Sequence, residues 1–221
     1  MPKHLQREIE DIKKRILALS ATVETAVRDA ARSIEERNVQ LAQAVIDQDV
    51  QIDEEEVTIE EECLKILALH QPVAIDLRFI VAVLKINNDI ERIGDLAVNI
   101  AERSVFLSTK PPLGVSFDFT EMAEKAQGML KKSLDALVNL SPLLADEVCA
   151  SDDEIDAMNR QMYKDIQQTI IAHPERIAPL VHLLSVSRHL ERIADHATNI
   201  AEDVIYMIEG KIVRHKAEDY E

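Results

Sequence analysis

The segment Glu91 to Glu102 (ERIGDLAVNIAE) returns one hundred residues later as Glu191 to Glu202 (ERIADHATNIAE), with nine of twelve positions identical. A repeat of this length marks a fold built from two copies of one supersecondary unit. A second stretch repeats as well. Leu41, Ala42, Val45, Asp49, Ile52 and Asp53 match Leu144, Ala145, Val148, Asp152, Ile155 and Asp156 at an offset of 103. The two offsets differ by three residues, so a short gain or loss lies between the repeated stretches. Whatever the pattern does, the chain does it twice.

The repeated segments read as helices. Ile86, Ile90, Ile93, Ala97, Ile100, Ser104 and Leu107 step by four and three, which makes one narrow apolar stripe. Four glycines, seven prolines, no tryptophan and long runs rich in Ala, Leu, Ile, Glu, Lys and Arg extend that reading to the whole chain. The spacing predicts helices over 4–37, 39–69, 73–107, 118–140, 143–172 and from Pro174 or Pro179 to 208. The second is expected to bend near Asp47-Gln48-Asp49. Asn38 marks a boundary, Asp118 is a cap, Pro142 suits a first helical turn, and Gly210 is a stop. Pro72 and His173-Pro174 end the links before the third and sixth helices.

Pro111-Pro112-Leu113-Gly114 breaks the chain near its middle, dividing it into units of residues 1–110 and 111–221. Each unit holds three helices joined by short links. The expected fold is all-α, two tandem antiparallel three-helix bundles related by internal duplication.

The charge balance narrows the partners. Twenty-five basic against 41 acidic residues leave a net charge of −16, which repels a nucleic-acid backbone and suits cations or basic protein surfaces. The basic group Lys211, Arg214, His215 and Lys216 reads as a helix end balancing its dipole. Cys63 and Cys149 lie far apart inside helical patterns and read as buried reduced thiols, in keeping with a cytoplasmic protein. The longest purely apolar run, Phe79 to Leu84, is too short to span a bilayer.

Glu91, Asp95 and Asn99 are four apart, as are Glu191, Asp195 and Asn199, so each trio stacks on one helix face opposite the apolar stripe. Like charges at that spacing repel. One reading is a solvated acidic face; the other is a cation site. The repeated upstream segments carry Asp49 and Asp53, and Asp152 and Asp156, at the same spacing on the preceding helix. Carboxylates from two neighbouring helices can converge on hard or borderline ions such as magnesium, manganese or iron. Asn99 and Asn199 would serve as edge ligands or as donors to the ligating carboxylates. Gly94 and Ala194 leave room between the acids. His196, which replaces Leu96, is a candidate extra ligand in the second copy only. Arg92 and Arg192 read as surface salt-bridge partners, and His70, His173 and His182 as solvated or packed residues. There is no glycine-rich phosphate loop, no Cys-x-x-Cys and no Glu-x-x-His ligand pair of the di-iron bundles.

With ERIGD, ERIADHATNIAE and the link Gln71-Pro72-Val73-Ala74-Ile75-Asp76-Leu77-Arg78, the chain resembles the PhoU family of bacterial phosphate-uptake regulators over essentially its whole length. The resemblance implies a cytoplasmic, usually dimeric protein that is not an enzyme. It implies action with the ATPase subunit of a phosphate ABC transporter and with a phosphate sensor histidine kinase, at the membrane only through those partners. The starvation response would be repressed when phosphate is plentiful. It further implies multinuclear iron or zinc bound through Asp49, Asp53, Glu91 and Asp95, and through Asp152, Asp156, Glu191 and Asp195. Two departures bear on the equivalence of the halves: His196 stands opposite Leu96, and Asp76-Leu77-Arg78 has no counterpart after Pro174. The other readings are a metal-dependent redox or storage bundle and a metal-free structural adaptor.

Overall fold

A computed structural model describes residues 3–113, 117 and 119–211. Six helices follow one another: α1 (Lys3–Glu36), α2 (Val39–His70), α3 (Ala74–Ser108), α4 (Phe119–Asn139), α5 (Pro142–Ala172) and α6 (Ile177–Glu209), with a one-turn 3₁₀ helix, Pro174–Arg176, before the last. Among the described residues there is no strand. α2 runs unbroken through Asp47-Gln48-Asp49. Asp118 and residues 212–221, including Arg214, His215 and Lys216, lie outside the described residues. Lys211 pairs with Glu209 at 3.4 Å.

The same two-residue corner joins the first two helices of each repeat. Arg37 and Leu140 adopt left-handed backbone, with φ of 51° and 49°. The next amide reaches back in both copies, Asn38 N–H to Ser33 O and Ser141 N–H to Ala136 O, each at 3.0 Å. This is the six-to-one bond that closes a helix around a left-handed residue. The residue giving that bond also caps the next helix. Asn38 Oδ1 accepts from Leu41 N–H at 3.0 Å and Ser141 Oγ from Leu144 N–H at 3.4 Å. Gly210, at φ 70°, ends α6.

Burial follows the repeat. Ile16, Leu19, Val23, Ala26, Val27 and Ala30 of α1 are buried, and so are Phe119, Met122, Ala126, Met129, Leu130 and Ser133 of α4, each 103 positions on. α1 and α2 pack on α3, α4 and α5 pack on α6, and α3 and α6 make the most extensive interface of all. These two run antiparallel. Arg78 Nε donates to Met207 O at 3.3 Å, Lys85 Nζ lies 3.3 Å from buried Asp203, and the Phe106 and His182 rings stack 3.7 Å apart. The two bundles therefore share one continuous core across the α3–α6 seam.

Candidate functional site

α3 has α1, α2 and α6 against it, and a narrow strip through Lys85, Asn88 and Arg92 stays exposed. Glu91, Asp95 and Asn99 accordingly do not sit on a free outer face as the spacing alone suggests. They lie half-buried along the α2–α3 groove. The four predicted carboxylates of the first repeat meet there electrostatically. Asp49 is pushed up to about 6 by burial first, then by Asp53 and Asp95. Burial, then Asp95, Asp53 and Glu56, raise Glu91 against the pull of Arg92. Arg92 lies 3.0 Å from Asp95 and 3.4 Å from Glu91, so it partly offsets the acids.

The second repeat builds the same groove between α5 and α6. Asp152 is raised by burial and by Asp156 and Asp153, while a hydrogen bond from Thr198 acts the other way. Glu191 is raised by burial, Asp195, Asp156 and Asp152. Asp195 keeps an open side to solvent, yet lost hydration, Asp152 and Asp156 raise it, against His196 and Arg192.

The halves differ in how their inner aspartate is satisfied. Thr198 Oγ1 donates to Asp152 Oδ1 at 3.1 Å. The first repeat has Val98 at the matching place, and buried Asp49 Oδ1 accepts no hydrogen bond. That oxygen lies 3.8 Å from where a Cβ on Gly94 would stand. A negative oxygen without a donor, among further hard oxygens, has the donor chemistry that a hard cation takes. As the side chains stand, however, no group of three or more His, Cys, Asp or Glu among the described residues is placed to hold a metal ion. Closure onto an ion would need carboxylate rotation.

The two asparagines and His196 have other partners. Asn99 Nδ2 donates to the Asp95 carbonyl at 2.7 Å. His196 Nδ1 lies 2.8 Å from Asp89 Oδ1 of α3, and Asn199 Nδ2 donates to the same oxygen at 3.4 Å. His196 thus faces the opposite repeat rather than the carboxylates expected to share an ion with it. Sequence spacing cannot show this, because Asp89 belongs to no four-residue pattern with them.

Two residues missed by the sequence reading border the first groove. Glu56 is raised by burial, Glu60 and Asp53, and it takes two hydrogen bonds from fully buried Asn87, at 2.9 Å to its carbonyl and 3.1 Å to its carboxylate. The spacing Asp49, Asp53, Glu56, Glu60 carried the signal. In the second repeat Asn159 and Ser187 stand at these places and bond at 2.7 Å.

A family model described as the PhoU domain matches residues 16–104 and again 119–204. The chain is 39% identical over 212 residues to the phosphate-specific transport system accessory protein PhoU homolog of Aquifex aeolicus, covering 96% of each. It is 36% identical to the protein of the same description from Pseudomonas aeruginosa, covering 94% of this chain and 86% of that one. The crystal structure of PhoU from Pseudomonas aeruginosa superposes with a TM-score of 0.91 at 34% identity, covering 93% of this chain and 99% of that one. The phosphate transport system regulatory protein PhoU from Streptococcus pneumoniae gives 0.87 at 25%, covering 95% and 99%.

Proposed function

The chain belongs to the PhoU family, and from that premise we propose that it serves a phosphate-specific transport system as a non-enzymatic accessory protein. One observation carries this reading: the likeness to relatives so described runs through both repeats and 96% of the chain. The protein works as a cytoplasmic homodimeric adaptor between the transporter's ATPase subunit and a sensor histidine kinase, holding the starvation response down when phosphate is abundant. Among the described residues no helix is long and apolar enough to cross a membrane. Protein contacts would therefore carry its association with a membrane complex.

A deletion strain tests the proposal. A phosphate-starvation reporter should rise in high phosphate and fall again on complementation, and the ATPase and kinase should co-purify with the protein in a phosphate-dependent way. An unchanged reporter, in a genome shown to hold no second copy, refutes it.

The carboxylate grooves are proposed as cation seats within that role, the first stronger than the second. Asp49, Asp53, Glu91 and Asp95 would hold one ion set, and Asp152, Asp156, Glu191 and Asp195 the other. Iron, zinc, manganese and magnesium all suit oxygen donors of this kind. A bound ion would supply the positive charge that the unpartnered Asp49 oxygen lacks.

A further inference from the structure

The α3–α6 seam is itself duplicated, and its two halves carry opposite charge. α3 and α6 match at an offset of 100, so each position in one half of the seam has a counterpart in the other. In one half the acids are answered across the seam. Lys85 Nζ lies 3.3 Å from buried Asp203. Asp89 meets His196 at 2.8 Å and Asn199 at 3.4 Å. In the other half bases stand in place of those acids, Arg103 for Asp203 and His189 for Asp89. The residues facing them bring no negative charge. Ser185 replaces Lys85 and donates to the Val181 carbonyl at 3.1 Å. Leu96 replaces His196, and Asn99 donates to the Asp95 carbonyl at 2.7 Å. The acid paired with Arg103 is Glu102, beside it on α3, at 3.9 Å and exposed.

Three nitrogens in this half have lost water without gaining a partner. Arg103 Nε, His182 Nδ1 and His189 Nδ1 are each buried and accept or donate no hydrogen bond. Native proteins leave few such atoms. All three belong to one stretch of the seam. The register that pairs Lys85 with Asp203, Asp89 with Asn199 and Phe106 with His182 sets Arg103 across from Ser185, between the two imidazoles. Stacking on Phe106 at 3.7 Å fixes the His182 ring. The charges acting on His189 are Arg103, Arg192 and Arg188, and those acting on His182 are Arg103 and Lys110. Burial first, then these cations, hold both rings below the ordinary histidine range. Each ring is therefore neutral at pH 7, with one N–H to give and one nitrogen to accept. The Arg103 side chain is 32% exposed, so a small solute can reach it.

We propose that this half of the seam binds a small tetrahedral oxyanion, and that in an accessory protein of phosphate transport the ligand is inorganic phosphate. Arg103 supplies the charge and its Nε–H, and His182 and His189 supply hydrogen bonds from either side. The two imidazoles stand two turns apart on α6, about 10 Å along its axis. An oxyanion reaches both through separate oxygens, as a chloride ion does not. A neutral imidazole can also accept the proton that hydrogen phosphate carries and sulfate lacks. Two histidines alone would equally suit a metal ion, but Arg103, Arg188, Arg192 and Lys110 around them set the field against a cation. The choice of phosphate among oxyanions rests on the accessory reading; the oxyanion site does not.

Calorimetry on the full-length protein tests this, with inorganic phosphate as titrant at fixed ionic strength. A chelator in both solutions prevents an ion in the carboxylate grooves from holding the phosphate. Saturable binding is expected, with one phosphate per chain. Arg103→Gln and His189→Gln should each weaken it by about tenfold or more. Lys14→Gln, which removes an exposed charge toward the other end of the molecule, should leave it unchanged. Phosphate should likewise raise the Tm of the parent and of Lys14→Gln, and not that of the two site variants. Should Arg103→Gln fail to fold, His182→Gln carries the same expectation. Absence of saturable binding at millimolar phosphate overturns the proposal, as does binding that the site variants retain. Sulfate bound as tightly as phosphate would overturn phosphate as the ligand. The measurement uses no transporter component and no reporter strain, so its failure leaves the accessory role standing, and failure of the reporter assay leaves phosphate binding intact.

Discussion

His196 Nδ1 of the second repeat lies 2.8 Å from Asp89 Oδ1 of the first, with both side chains largely withdrawn from solvent. Asn199 adds a donor to the same oxygen. One carboxylate thus ties α6 to α3 in the middle of the seam that makes a single core of two bundles. Leu96 is the residue matched to His196 and is buried, so the pair exists once in the molecule.

A double-mutant cycle measures that tie. Asp89→Ala and His196→Leu should each destabilise in urea unfolding, and together by less than their sum, with a coupling of about 1 kcal/mol. Additive losses would show that the contact contributes nothing beyond packing.

The raised Asp49 carboxyl sets a pH dependence. Its folded value, about 6, lies above its ordinary 3.8. Stability tied to this group is therefore full below about pH 4 and is lost as the pH rises through 6. Without metal, Asp49→Asn should gain on the order of 1 kcal/mol at pH 7.5, after discounting for partial exposure, and nothing at pH 4. Thermal melts of both proteins across that range check the sign. An equal effect at both ends would rule out ionisation as the cause.

Metal reverses that outcome. An ion that binds only the folded protein stabilises it by about 2.7 kcal/mol at a hundredfold excess over its dissociation constant. Asp95→Asn with Asp195→Asn should lower the metal content of anaerobically purified protein and remove any chelator-sensitive part of Tm. If the parent shows no metal and no response to chelator, both grooves are acidic faces and no more.

Gly94 reports on the closeness of α2 and α3. A Cβ there would meet Ile52 Cγ2 at 3.3 Å and Cδ1 at 3.4 Å. Ala194, its counterpart, already carries that carbon and is buried, as is Ile155, the counterpart of Ile52. Gly94→Ala should therefore stay within about 1 kcal/mol of the parent, helix propensity offsetting the tight contact. Gly94→Val should cost about 2 kcal/mol or more through overpacking. Chemical denaturation separates the two, and an equally mild valine would mean that the helices part easily.

The corners offer a paired measurement. Asn38→Ala and Ser141→Ala each remove one capping acceptor and should cost about 1 kcal/mol. Asn38 should lose more, because its bond is 3.0 Å against 3.4 Å for Ser141. A larger loss at Ser141, read from the same denaturation curves, would reverse that ranking.

The six helices and the duplication are legible in the chain, because each rests on local chemistry, whereas the left-handed Arg37 and Leu140 of the corners carry no sequence signal. An apolar stripe, a capping side chain or a proline acts within a few residues of itself. Asn38, Pro142 and Gly210 mark helix ends in the sequence and stand at helix ends in the structure. The four-residue acid spacing on α2 and α3 is legible too, but it fits a shared cation site and plain charged flanking positions equally well. Glu56 was within reach of the same pattern.

The sequence by itself determined what each helix would be and that the unit occurs twice. The tertiary structure alone decided what each helix meets. His196 turned to Asp89, and Asp49 was left without the hydroxyl that Thr198 gives Asp152. These outcomes depend on the rotation and axial register of one helix against another. Side-chain spacing within a helix fixes which residues share a face, and it holds no information about the neighbour that face will find.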